Sequence, residues 1–174
     1  MKKILKRTAG VLVLTFAIAL ILGSCASMGG GSGGVLDKVF IGNASSESGH
    51  AMKVDRSENG VNIENWRHAL DGGYFQFTMK TGGKTNVAVR VRYWAHEQGE
   101  RSFNIIVNDT VIATDNVVGK FRKEKVPQEF YEVDYPVPAE LVTGKDSIIV
   151  KFQGTDEYQI AGGVYGLSLV NLGD

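Results

Sequence analysis

The sequence predicts an all-β domain, a two-sheet β-sandwich, on three observations. Apolar residues recur with period two in short runs between residues 35 and 170. Clusters of Gly, Asn and Asp separate those runs, and no stretch of ten or more residues beyond the leader carries an apolar helical period. Alternation of this kind puts one face of each strand on a core and leaves the other partly wet.

Taken in order, residues 35–41 give the first expected strand. Asp71-Gly72-Gly73 predicts a turn, after which Phe75, Phe77 and Met79 alternate with Tyr74, Gln76 and Thr78. Val87, Val89, Val91 and Tyr93 then alternate with Ala88, Arg90, Arg92 and Trp94. Phe103, Ile105 and Val107 lead into Asn108-Asp109, a two-residue turn that closes a tight hairpin onto residues 110–113. Further strands are expected over residues 130–137, 147–152 and 164–170, with Pro127, Pro136 and Pro138 at strand margins, where a missing backbone donor costs little. Seven or eight short strands in a segment of this length fit a sandwich; periodicity alone leaves jelly-roll and immunoglobulin-like topologies both open.

The segment before this domain reads as a lipoprotein leader. Lys2, Lys3, Lys6 and Arg7 form a basic start, residues 10–22 are uncharged and mostly apolar, and Leu22-Gly23-Ser24-Cys25 looks like a lipobox. Residues 1–24 are therefore expected to be a signal peptide, and Cys25, the only cysteine, the site of diacylglycerol and palmitate attachment. Residues 25–34, with the glycine-rich run that follows Cys25, form a flexible tether, and residues 35–174 the sandwich. Ala26 and the lack of an acidic cluster after Cys25 point to an outer-membrane anchor facing the periplasm. With that cysteine acylated, no disulfide within the chain is expected.

Lys+Arg and Asp+Glu are 19 each over 174 residues, but four of the cations lie in the leader, so residues 25–174 carry a formal net charge of −4. That acidic balance, with dispersed cations, excludes nucleic acid as a partner. His50, His68 and His96 are the only histidines and fall in no metal-binding spacing. No serine has a nucleophile-elbow context, and no carboxylate pair is set around a scissile bond by spacing. A non-catalytic protein without a cofactor is therefore expected. Loops near Asp37, Glu47, Asp71 and Asp156 could supply oxygens to a structural Ca²⁺, although no calcium-loop spacing is present.

Binding is better supported than catalysis. Trp66 and Arg67 precede the Asp71 turn, Trp94 shares a strand face with Arg90 and Arg92 and runs into His96, and Tyr158-Gln159 lies before the last strand. Flat indole and phenol rings stack on the apolar face of a sugar while charged and amide groups meet its hydroxyls. Trp66, Arg67, Trp94, His96, Arg101, Tyr158 and Gln159 are accordingly the candidate carbohydrate contacts. A structural or protein-interaction role with an envelope protein partner is the alternative; burial of both tryptophans would favour it.

Several separated motifs also carry a family likeness. Asn65-Trp-Arg-His-Ala69 with Gly72-Gly-Tyr-Phe75, Val89-Arg-Val-Arg-Tyr-Trp94, Arg101-Ser-Phe-Asn-Ile-Ile-Val-Asn108, Phe130-Tyr-Glu-Val-Asp-Tyr-Pro-Val-Pro138 and Ala161-Gly-Gly-Val-Tyr-Gly166 occur in that order. Together they resemble the C-terminal β-sandwich accessory domain of β-L-arabinofuranosidase-like glycoside hydrolases and, more distantly, galactose-binding-like jelly rolls. The resemblance spans nearly all of residues 35–170 and implies a jelly roll, here without the catalytic barrel that precedes it in those enzymes. It also implies that Phe103 points inward, that Arg101 stands near a sheet edge, and that Gly162, Gly163 and Gly166 permit close backbone approach.

Overall fold

The computed structural model describes residues 34–97, 99, 101–117 and 130–173. The leader, Cys25, the tether up to residue 33, Gln98 and Pro127 lie outside the described residues. The elements are β1 (Val35–Val39), α1 (Ala44–Gly49), β2 (Lys53–Val61), β3 (Asn65–Lys80), β4 (Val87–Trp94), β5 (Ser102–Val107), β6 (Thr110–Asn116), β7 (Phe130–Pro136), β8 (Ser147–Gly154) and β9 (Ala161–Asn171), with a 3-10 turn at Ala139–Leu141. Hydrogen-bonded neighbours run β6-β5-β8-β3-β9-β4-β7, with β1 added to β9 and β2 to β3. This is the all-β sandwich that the period-two runs predict.

Strand β3 joins the two sheets. Its first half pairs with β9 through Arg67, His68 and Ala69, and its second half pairs with β8 from Tyr74 to Lys80. Between them Asp71 and Gly72 take φ of 51° and 70°. The turn expected at 71–73 is therefore a bend inside one 16-residue strand and not a chain reversal. The reason is tertiary: the Gly72 N–H donates to the Gln159 carbonyl at 3.0 Å, and a Cβ on Gly72 would meet the Asp156 carbonyl oxygen at 2.6 Å. A strand kinked by residues of positive φ can leave one sheet and enter the other.

The alternating runs supply the core. Phe75, Phe77 and Met79 of β3, Val87, Val89, Val91 and Tyr93 of β4, Phe103, Ile105 and Val107 of β5, and Val150 and Phe152 of β8 are all at most 1% exposed. Phe75 and Phe152, paired across β3 and β8, stack with centroids 5.0 Å apart. Burial of each such side chain is worth about 1.5–3 kcal/mol. The hairpin at Asn108-Asp109 forms as expected, both residues having positive φ (47° and 65°). The Asn108 side chain also accepts from the Ile149 N–H and donates to the Leu141 carbonyl, each at 2.9 Å.

Two elements carried no apolar pattern. Strand β2 follows β3 along an outer edge, and its residues are mostly exposed. Helix α1 has six residues; the Asn43 side chain caps it by accepting from the Ser46 N–H at 2.9 Å. Glu47 of α1 is 4% exposed and forms a bidentate pair with Arg67 of β3 (2.9 and 2.8 Å). The same carboxylate accepts from the Gly42 N–H, and Arg67 donates also to Ser57. Nearby, Asp37 of β1 accepts from the Lys80 N–H and faces the ring of His50 at 3.1 Å.

Candidate functional site

The site lies on the outer face of the sheet formed by β7, β4, β9, β1 and the first half of β3. Because Val87, Val89, Val91 and Tyr93 face the core, Arg90, Arg92 and Trp94 face outward. In β3, Arg67 and Ala69 are buried, which turns Trp66 and His68 to the same outer side. Strand β9 runs between β3 and β4 and is irregular against both. Its register with β3 shifts between Arg67/His68, passing over Gly163, and its register with β4 shifts between Arg92/Tyr93, passing over Tyr165. An extra residue at a bulge re-aims its side chain, and here Tyr165 turns into the outer face while Gly163 leaves bare backbone beside it.

A cleft of ≈ 390 Å³ results, lined by Val61, Asn62, Trp66, His68, Trp94, Glu97, Arg101, Gly163 and Tyr165. That volume is in the range of ligand pockets. Glu97 and Arg101 are ion-paired at 2.8 Å. They lie directly over Gly163, where φ is +89° and a Cβ would meet Glu97 Oε2 at 2.6 Å. Trp66 lies on Gly60 of β2, whose Cβ would stand 2.5 Å from the indole, and its ring is 4.7 Å from that of His68. Trp94 is half-buried, with Nε1 buried and without an acceptor among the described residues, so what it offers the cleft is ring surface. Tyr165 packs edge-on against Phe130, centroids 5.1 Å apart.

The electrostatics follow from this packing. Burial pushes the His68 imidazole below its ordinary pKa, and the Arg101 charge adds to the effect against the opposing pull of Glu58. Burial, then the Glu97 carboxylate, pushes the Tyr165 phenol up. Glu97 is the one carboxylate in the lining among the described residues, and it is already paired. The cleft thus combines aromatic surface with a neutralised ion pair, a set suited to gripping a ring that has one apolar face and hydroxyls at its rim.

Of the seven candidate contacts, the fold brings together Trp66, Trp94 and Arg101. His96 stands exposed beside them, its ring 5.6 Å from that of Trp94. The other three are placed differently. Arg67 is 5% exposed and held by Glu47, a strut instead of a contact, because its position in the strand alternation turns it inward. Gln159 ties loops together, its side chain accepting from the Ser102 N–H at 3.0 Å. Tyr158 is 81% exposed and outside the cleft lining. Sequence reasoning passed over His68, Glu97 and Tyr165. Two of these had a signal: His68 stands two residues from Trp66 on a strand, and Glu97 four residues before Arg101. Tyr165 had none, since the bulge that swings it outward depends on neighbouring strands. Among the described residues no group of three or more His, Cys, Asp or Glu side chains is placed to hold a metal. Asp37 and Glu47, considered for Ca²⁺, spend their oxygens on the donors named above.

A family model described as a family of unknown function (DUF6805) matches residues 33–170. The chain belongs to the DUF6805 family. No curated protein matches it. Among solved structures, a family GH115 4-O-methyl-α-glucuronidase with specificity for decorated arabinogalactans is similar at 18% identity and a TM-score of 0.51, over 69% of this chain and 17% of that one. A family 35 carbohydrate binding module from Clostridium thermocellum is 13% identical with a TM-score of 0.49, over 69% of this chain and 92% of the module. A family 35 module from Paenibacillus barcinonensis is 12% identical with a TM-score of 0.47, over 68% and 91%. The likeness to the glucuronidase segment concerns the fold alone.

Proposed function

We propose that the protein is a non-catalytic carbohydrate-binding module tethered to a membrane through lipid on Cys25. The observation that carries the binding half is the convergence of Trp66, Trp94 and Tyr165 with the Glu97–Arg101 pair in one cleft. Both tryptophans are only partly buried there, whereas full burial of both would have favoured the structural reading. Glycoside hydrolysis ordinarily needs two carboxylates flanking the bond, and among the described residues this lining holds one, which supports binding over hydrolysis. Arg101 is already matched by Glu97, which favours a neutral sugar over a uronate. The lipobox at residues 22–25, and Ala26 after it, support anchoring at the outer membrane on its periplasmic side.

Glycan-array screening of the detergent-solubilised full-length protein tests the binding half. Retention of a neutral glycan is expected, with Trp66→Ala weakening it roughly thirtyfold, the ~2 kcal/mol of a buried aromatic anchor. No retention on plant, host or bacterial glycans would sink the reading. The anchor is tested separately: Cys25→Ala should move the protein from the membrane to the soluble fraction, and full membrane association of that variant would overturn the lipid assignment.

A further inference from the structure

A second cleft, of ≈ 500 Å³, opens on the same outer face and shares Tyr165 with the aromatic one. Its shape follows from the strand register. One row across the sheet reads Lys38, Ser168, Arg90, Asp134, and the next includes Gly166, Arg92 and Glu132. Strand β9 therefore contributes Ser168 and Gly166 between the long side chains of β1 and β4, and a trough runs along it. Gly166 keeps the floor low here, since a Cβ there would stand 3.2 Å from Arg92 Cβ and crowd that side chain. Beyond β1, Phe40 is 59% exposed at the trough wall. From Gly163 under the aromatic cleft to Ser168 in the polar one the floor of β9 extends about 16 Å at strand rise.

The guanidinium groups in the trough are matched within the chain, and the Lys38 ammonium lies over the Phe40 ring, 5.1 Å from its centroid. Arg90 is bidentate to Asp134 at 2.7 and 2.8 Å, and Arg92 meets Glu64 at 2.7 Å. A polyanion would gain no free guanidinium and would face Glu64 and Glu132. Paired guanidinium and carboxylate groups instead offer hydroxyls both donors and acceptors. Resting on the carbohydrate reading above, we propose that the polar cleft is a second subsite, and that the two clefts together bind a neutral oligosaccharide laid lengthwise along β9 from Gly163 to Ser168.

The test is calorimetric titration of the detergent-solubilised full-length protein with arabinogalactan, xylan and mannan and with defined fragments of each, from the single sugar upward. Affinity is expected to rise at least about tenfold from single sugars to long fragments. Ser168→Trp, which fills the trough, should abolish that gain and leave single-sugar affinity unchanged; a thermal melt checks that the variant folds. Phe40→Ala, at an exposed position clear of the core, should lower long-fragment affinity about threefold. Equal affinity for short and long fragments, or long-fragment binding indifferent to both substitutions, overturns the second subsite while leaving the aromatic cleft standing. Failure of every fragment to bind overturns the carbohydrate reading and the subsite with it.

Discussion

The Arg67–Glu47 and Arg101–Glu97 pairs have the same chemistry, and both close to 2.8 Å. Their surroundings differ. The side chains of Arg67 and Glu47 are 6% and 5% exposed; Glu47 also accepts from the Gly42 N–H and Arg67 donates to Ser57, so their bonds join separate parts of the chain. Arg101 and Glu97 are 14% and 10% exposed and rest on the bare backbone of Gly163, with indole and phenol rings standing around them. The first pair is a clasp between a short helix and the sheet; the second is the polar end of a cleft. What separates a strut from a contact here is whether the space beyond the pair is filled by protein.

Breaking the clasp should have the largest effect. Arg67→Ala leaves Glu47 buried without its counter-charge, which is expected to cost about 3–5 kcal/mol. At this chain length that lowers Tm by on the order of 10 °C, read by calorimetry, while glycan affinity of the folded fraction stays unchanged. A loss of affinity as large as that of Trp66→Ala would erase the distinction between the two pairs. Gly163→Ala acts on the other side: the new Cβ would collide with Glu97 Oε2 in a backbone conformation that costs a non-glycine residue about 1–3 kcal/mol. Its expected signature is lost glycan binding with a smaller fall in Tm than Arg67→Ala produces.

The smallest effects are in pH, and they sharpen the contrast because the two regions titrate in different windows. His68, at the cleft, has its folded pKa held below its unfolded value by burial and by Arg101, so it contributes stability above about pH 6.5 that is lost as pH falls through the folded value. Asp37, beside the clasp, is pushed up by burial but held below its ordinary range by the Lys80 N–H, His50 and the Lys38 N–H. Its contribution is present above about pH 4 and is lost only at more acidic pH. Denaturant midpoints measured from pH 8 to pH 3 should show two successive declines, the first absent in His68→Gln and the second reduced in Asp37→Asn.

Much of the frame was legible in the sequence. The buried faces of β4, β5, β8 and the second half of β3 follow from period-two apolar residues, because burial on one face is itself what creates the pattern. The Asn108-Asp109 hairpin was readable because its two residues tolerate positive φ. Strand β2 was not, since it packs no alternating face on the core and is held by backbone bonds to β3. Helix α1 was hidden for a related reason: it is fixed by a cap and by one buried ion pair, neither of which leaves a periodic trace. In the site, Trp66, Trp94 and Arg101 could be picked out from sequence, and His68 and Glu97 left a signal in their spacing, but the bulge that brings Tyr165 to them left none.

By itself, then, the sequence determined which residues face a core and which rings are candidates for binding, and its lipobox-like segment is the ground for the proposed anchor at Cys25. Only the tertiary structure decided that Arg67 turns inward and Arg101 outward, that the Asp71 segment bends a strand in place of ending it, and that Tyr165 joins Trp66 and Trp94. The physical reason is that alternation is a local property of the backbone. Bulges, the strand exchange in β3 and the meeting of β3, β9 and β4 depend on hydrogen bonds between segments far apart in the chain.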